Sequence, residues 1–269
     1  MAGLTHQKPS PRGEGWVRGG DVAAGSDPAI QLPAVERHGL PQQAACASIA
    51  ANRPSNIRTI PVSDAYPLKP FRIRNRRTLC AVIRAFPLAT LISGSAGNAT
   101  MTLIPLLVDH DAAADRIVLT GHLDRNNAHA QHLRPGAPIS FHIAGPDAYA
   151  SPDLYPDPQL PGWLYVAVQG DGEVSDLLDM PDLRAALIRS TEEFGALDQK
   201  FALDPADPRI DKFLPGIVGF RIAVTRVSGI AKLAQDKGPA HARTASDFLA
   251  GRGNAASADL FAKLLRETL

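Results

Sequence analysis

Net charge is the first thing this chain lacks. Lys and Arg number 28 and Asp and Glu 27, which leaves a formal charge of +1. No global basic footprint points to nucleic acid, although a local basic face stays open. Cysteine is scarce as well. Cys46 and Cys80 stand far apart in no metal-ligand spacing. A disulfide framework and a cysteine zinc site are therefore not expected, and free thiols in a reducing cytosol are. No apolar run approaches the roughly 18–20 residues that span a bilayer. No apolar stretch backs the few N-terminal charges, so no secretory signal is expected. No Gly-x-Ser-x-Gly elbow and no glycine-rich phosphate loop appears. What is present is 269 residues, 45% of them hydrophobic. That is enough to bury a sizeable core in one large domain or two small ones.

The texture changes near residue 65. Residues 1–64 scatter Gly, Pro, Ala and Arg with no period of 2 or 3.6. Their one apolar cluster, Ala44 to Ala51, is short and small-sided. Such a segment does not offset its ordering entropy. It reads as a disordered extension, or as the result of a start codon placed too early. Residues 65–250 read as one domain and residues 251–269 as a C-terminal amphipathic helix.

Within the domain, Arg72 to Phe86 carries Ile73, Leu79, Val82, Ile83 and Phe86 at helical spacing, and Pro87 stops it. Leu88 to Ser93 and Thr100 to Val108 flank turn chemistry and predict a hairpin. Asp109 to Asp115 reads as a loop. Further strands are expected at Arg116 to Leu123, Ala137 to Ile143, Trp163 to Val174 and Ile217 to Val227, with a last short one at Ala231 to Gln235. Gly145 to Gly162 reads as a proline-rich loop. Helices are expected at Pro181 to Phe194, Arg209 to Leu214, Ser246 to Leu249 and Ala256 to Thr268. About six strands, few helices and a single strand–helix–strand unit suggest a mainly β, α+β fold. The architecture expected is an antiparallel barrel with helical additions.

The stretch with most chemistry is Thr120-Gly121-His122-Leu123-Asp124-Arg125-Asn126-Asn127. It follows a β-branched run and precedes a polar segment, Ala128 to Arg134, that reads as a helix. A helix start offers unpaired N–H groups and a favourable dipole to an anion, and an arginine fork fits a phosphate. A capped surface helix would use the same asparagines without any ligand. His129 and His132 stand at i, i+3 with no third ligand, so a solvated helix face is expected in place of a zinc pair. Trp163 and Tyr165 share a strand face, as core aromatics or as stacking partners of a ring. Lys232 and Gln235, near a strand end, mean little alone.

Several segments, in order, resemble the PaiB-type FMN-binding transcriptional regulators. Leu79-Cys80-Ala81-Val82-Ile83-Arg84-Ala85-Phe86-Pro87-Leu88-Ala89-Thr90-Leu91 resembles the family's opening L-x-x-L-I-R-A-H-P-L-A-T-L. Ile104 to Asp109 resembles L-P-L-L-L-D, Gly121 to Asn127 resembles G-H-V-A-R-x-N, and Gly145 to Pro152 resembles G-P-D-A-Y-I-S-P. Gly216 to Phe220 with Thr225-Arg226, and Lys232 to Gln235, resemble later family segments.

The resemblance implies a split β-barrel like that of pyridoxamine-phosphate oxidases, a cytoplasmic homodimer, and FMN bound between subunits. It implies cofactor contacts from His122, Arg125, Asn126, Asn127, Trp163, Tyr165, Lys232 and Gln235. Direct DNA binding rests on the resemblance alone, since no helix-turn-helix with a basic recognition helix is visible. A small flavin-dependent oxidoreductase and a degenerate member without flavin stay open. The chain departs from the family's pattern at Thr102-Leu103, Gly162-Trp163-Leu164 and Ala231 to Asp236. Fewer polar groups there weaken the ring side of the expected site, by about 1 kcal/mol per lost hydrogen bond.

Overall fold

The computed structural model describes residues 68–95, 98–198 and 203–269. The extension expected at 1–64 lies outside them. Eight strands form one antiparallel sheet among the described residues. They are β1 (Arg72–Ile73), β2 (Leu88–Ser95), β3 (Asn98–Pro105), β4 (Leu107–Asp111), β5 (Arg116–Asp124), β6 (Pro138–Ala150), β7 (Gly162–Leu177) and β8 (Ile217–Lys232). Five helices accompany them: α1 (Arg76–Ala85), α2 (Met180–Asp198), α3 (Pro208–Phe213), α4 (Pro239–Ala250) and α5 (Ser257–Thr268).

The sheet order is β3-β2-β6-β7-β8-β5-β4, with β1 added along β8. The two edge strands, β3 and β4, are consecutive in the chain and are separated only by Leu106. A flat sheet of that order would need a long connection between its edges. One residue suffices only if the sheet curls until the edges meet, so the sheet is a barrel left split on one side. β3 packs against β5 across the split without pairing to it. Leu91, Ile104, Leu119, Phe141, Ile143, Phe220 and Ile222 fill the interior. Each fully buried side chain of this size contributes roughly 1.5–3 kcal/mol. α1 starts at Asn75, whose side chain accepts from the Arg77 N–H at 2.8 Å. It packs on β4 and on α5, and α4 packs on β6 and β7.

Three expectations are corrected. Thr100 to Val108 is not one strand: it breaks at Leu106, whose N–H bonds to the Pro87 carbonyl, and the residues beyond it pair with β5 instead of β2. The Asp109–Asp115 loop is correspondingly shorter. The expected short strand at Ala231 is the end of the sixteen-residue β8, and β6 takes in the first part of the expected Gly145–Gly162 loop.

A second, smaller core forms on the outward side. Leu183, Ile210 and Leu214 pack with Leu178, Leu187, Ile188, Leu203 and Ile217. This seats α2 and α3 over β5 and the start of β8. Gly219 permits the approach, because a Cβ there would stand 2.6 Å from a Leu183 methyl group. Arg189 ties α2 to Asp109 at 2.8 Å and to Glu193 at 2.6 Å, and Arg221 ties β8 to Asp176 and Asp182.

Candidate functional site

The segment Asp124–Asn127 forms a corner where β5 ends. Its shape is set by side chains bonding backbone. The Asp124 carboxylate accepts from the Asn126 N–H at 2.7 Å, and Asn127 Oδ1 accepts from the His129 N–H at 2.9 Å. The residues after Asn127 are not the helix that was expected. They make a five-residue 3₁₀ turn, Ala128–His132. So short a turn carries little macrodipole, and any anion held here is held by side chains.

Those side chains are partly engaged and partly available. Arg125 Nε donates to the Pro215 carbonyl at 3.0 Å and Nη2 to the Ile217 carbonyl at 3.1 Å. This stakes the exposed guanidinium to the loop before β8. Two of its five N–H groups are used, and the rest stay available. Asn127 spends its oxygen on the turn and on Thr102 at 3.3 Å. Its amide N–H₂ is left over. A phosphate fits this donor set: a fixed guanidinium edge beside an asparagine amide.

The expectation that His129 and His132 lie on a solvated face is wrong. His129 is fully buried. Its Nε2 shares a hydrogen bond with the Ser93 hydroxyl at 2.7 Å, and its Nδ1 one with the Thr102 hydroxyl at 3.2 Å. His132 Nε2 bonds to the Thr100 hydroxyl at 3.2 Å, and the two rings meet edge to face at 6.0 Å. The turn therefore plugs the split of the barrel, with His129 as its core. Burial, and the neighbouring His132, hold His129 below the ordinary histidine pKa. The signal was available: Ser93, Thr100 and Thr102 are the hydroxyl residues of the facing hairpin.

A second surface runs across the sheet. Leu103 pairs with Thr90, Thr90 with His142, His142 with Gln169 and Gln169 with Ser228, so these five share one face. Along that face lies a shallow hollow of about 210 Å³ between His142, Tyr165, Gln169 and Ser228. Lys232 is the cross-strand partner of Tyr165 and is half-buried. Trp163 lies beyond Tyr165, 54% exposed, and meets Tyr149 edge to face at 6.3 Å. Trp163 is thus a surface aromatic and not a core one. Leu88, Met101 and Leu103 are also more than half exposed on β2 and β3.

The predicted residues do not gather in one place. Arg125, Asn126 and Asn127 stand at the corner, and Trp163, Tyr165 and Lys232 at the far end of β7 and β8. Fifteen residues of β8, roughly 50 Å of strand, separate Ile217 beside the corner from Lys232. The shorter way from corner to hollow crosses β3, β2 and β6. Gln235 is turned inward: its Oε1 accepts from the Leu233 N–H at 2.8 Å and its Nε2 donates to the Ala231 carbonyl at 2.6 Å. It holds a chain reversal at Ala234, whose φ is 57°. His122 faces a cavity under α2 and α3 that borders the corner through Ile217, whose carbonyl holds Arg125. No group of three or more metal-ligating side chains occurs among the described residues.

The fold is thus a split barrel with unused donors at one corner and aromatic side chains at the edge of its outer face. Residues 65–226 match the family model described as "Putative FMN-binding domain". The chain belongs to this FMN-binding family, and FMN is the cofactor that membership gives it. It is similar to the protease synthase and sporulation protein PAI 2 of Bacillus subtilis (strain 168), with 26% identity over 171 residues. The match covers 63% of this chain and 81% of the Bacillus protein. Among solved structures, an FAD and heme binding protein from Mycobacterium smegmatis aligns with a TM-score of 0.43 and 16% identity, covering 60% of this chain and 73% of that one. The flavocytochrome Anf3 of Azotobacter vinelandii aligns with a TM-score of 0.43 and 14% identity, covering 60% and 69%. No helix among the described residues is long and apolar enough to cross a membrane.

Proposed function

We propose that this chain is a cytoplasmic, PaiB-like flavin-binding regulator. FMN is held with its phosphate at Arg125, Asn126 and Asn127 and its ring on the outward face toward Tyr165, Trp163 and Lys232. The observation that carries this reading is the staked guanidinium of Arg125. Two backbone carbonyls fix it while most of its donors face outward. When bound, FMN would supply redox chemistry. The chain's own residues would position it: Lys232 by charge, Tyr165 and Trp163 by ring contact.

A homodimer completes the reading. Leu88, Met101 and Leu103 leave a large apolar ridge in water beside the hollow, and ridges of this kind mark interfaces. A second copy seated on them would shield the ring side, which a single chain leaves open. The free, buried thiol of Cys80 suits the cytoplasm. A regulatory role follows the Bacillus relative, whose name ties it to protease synthesis and sporulation.

The test is a titration with FMN followed by flavin fluorescence. Arg125→Ala should weaken binding at least tenfold, the loss of a charge-assisted bond. Unchanged affinity would remove the phosphate from this corner. Protein that never binds FMN would mark a degenerate member. Oxidation of a reduced nicotinamide by the flavin form would favour an oxidoreductase. A salt-sensitive DNA shift without turnover would favour the regulator.

A further inference from the structure

The cavity under α2 and α3 has about 430 Å³ of space, within the range of small-molecule sites. Its walls are Leu187, Leu203, Ile210 and Ile217, and Phe213 stands at its edge, 68% exposed. Thr191, Asp207 and Arg209 also border it, and their bonds are spent elsewhere. Asp207 caps α3 and takes both the backbone N–H and the guanidinium of Arg209. Thr191 donates its hydroxyl to the Leu187 carbonyl at 3.1 Å. His122 is different. Its side chain makes no hydrogen bond to any described residue, so the imidazole brings a free donor and a free acceptor into an apolar space.

Such a space suits no phosphate, because Arg209, the one cation that lines it among the described residues, is tied to Asp207. Nor does it suit a charged ligand, since burial favours the neutral imidazole. A flat apolar body with one oxygen would match the leucine and isoleucine walls, stack under Phe213, and bond to the ring nitrogen. The ring is half-buried, so a ligand oxygen would take the place of solvent at its nitrogen.

We propose that the cavity over His122 binds a small, uncharged aromatic molecule carrying one hydroxyl or carbonyl oxygen, at a site that adjoins the flavin corner at Ile217 but uses none of its donors. The probe is 2-naphthol, titrated into the full chain by its fluorescence, with and without FMN. One saturable site per chain is expected, together with a shift of the His122 ring proton resonance that is missing from His122→Leu. His122→Leu should weaken binding about fivefold, the loss of one hydrogen bond. Ile210→Trp, which fills the space, should abolish binding while leaving FMN affinity unchanged. Absence of saturation, or saturable binding that neither variant weakens, would overturn the site. If naphthol binds as described and FMN does not, the flavin reading alone fails.

Discussion

His122 and His129 lie seven residues apart on one continuous stretch, and the fold treats them in opposite ways. His129 is sealed from solvent with both ring nitrogens bonded to hydroxyls of the facing hairpin. His122 lines a cavity with neither nitrogen bonded to a described residue. In both, burial holds the ring below its ordinary pKa. The difference lies in the partners. A buried polar group with its partners supplied holds the structure together, and a half-buried one that faces a cavity without them is open to a ligand. The sequence expectation, a cofactor contact for His122 and a solvated face for His129, does not contain this contrast, so variants must test it.

The largest effect is expected at His129→Leu. The variant keeps an apolar volume in the split but leaves the Ser93 and Thr102 hydroxyls without their partner. Two lost buried bonds at 1–1.5 kcal/mol each put the cost at about 2–3 kcal/mol, read as a lower midpoint in urea unfolding. A midpoint within error of the parent would mean that the plug is ornamental.

Acid should expose the same residue. A ring whose folded pKa lies below its unfolded value stabilises the fold fully above about pH 6.5. That stability is lost as pH falls toward the folded pKa, because the unfolded chain takes up the proton first. Both histidines contribute, so stability should decline from about pH 6.5 downward. His129→Gln should be less stable at neutral pH and should flatten that decline. An equally steep decline in the variant would place the acid sensitivity elsewhere.

The split explains how much of this was legible. The positions of most strands along the chain and the corner at Arg125 could be read from local pattern, because turns and alternation are local. The break at Leu106 could not. Ile104 to Val108 is apolar throughout, and only the curl of the whole sheet sends its two halves to opposite edges. His129 looked solvated because Ala128 to Arg134 is polar by composition, and its partners lie 27 and 36 residues away. Arg125 was legible as a candidate for a phosphate by type. The carbonyls that stake it, Pro215 and Ile217, are 90 and 92 residues away. Gln235 is the opposite case, since it bonds to the backbone of residues two and four positions before it.

His132 grades the comparison. It holds one bond, to Thr100 at 3.2 Å, and is only half-buried. His132→Ala should cost about 0.5–1 kcal/mol, between its two neighbours. A cost equal to that of His129→Leu would mean that the two rings act as one unit and that the edge-to-face contact carries the plug.

The smallest effect is expected at His122→Leu. Removing an imidazole that bonds to no described residue loses no hydrogen bond among them, and a leucine facing Leu187, Ile210 and Ile217 gains apolar contact. The two folded states should agree within about 1 kcal/mol, with any difference in favour of the variant. The acid decline should soften slightly, because one depressed histidine is gone. This near-zero result carries more information than the large one at His129. A residue that the fold can discard without loss, yet keeps polar inside an apolar cavity, is not explained by stability. A clear destabilisation on losing His122 would show that the ring supports the α2–α3 layer, and the contrast between the two histidines would collapse.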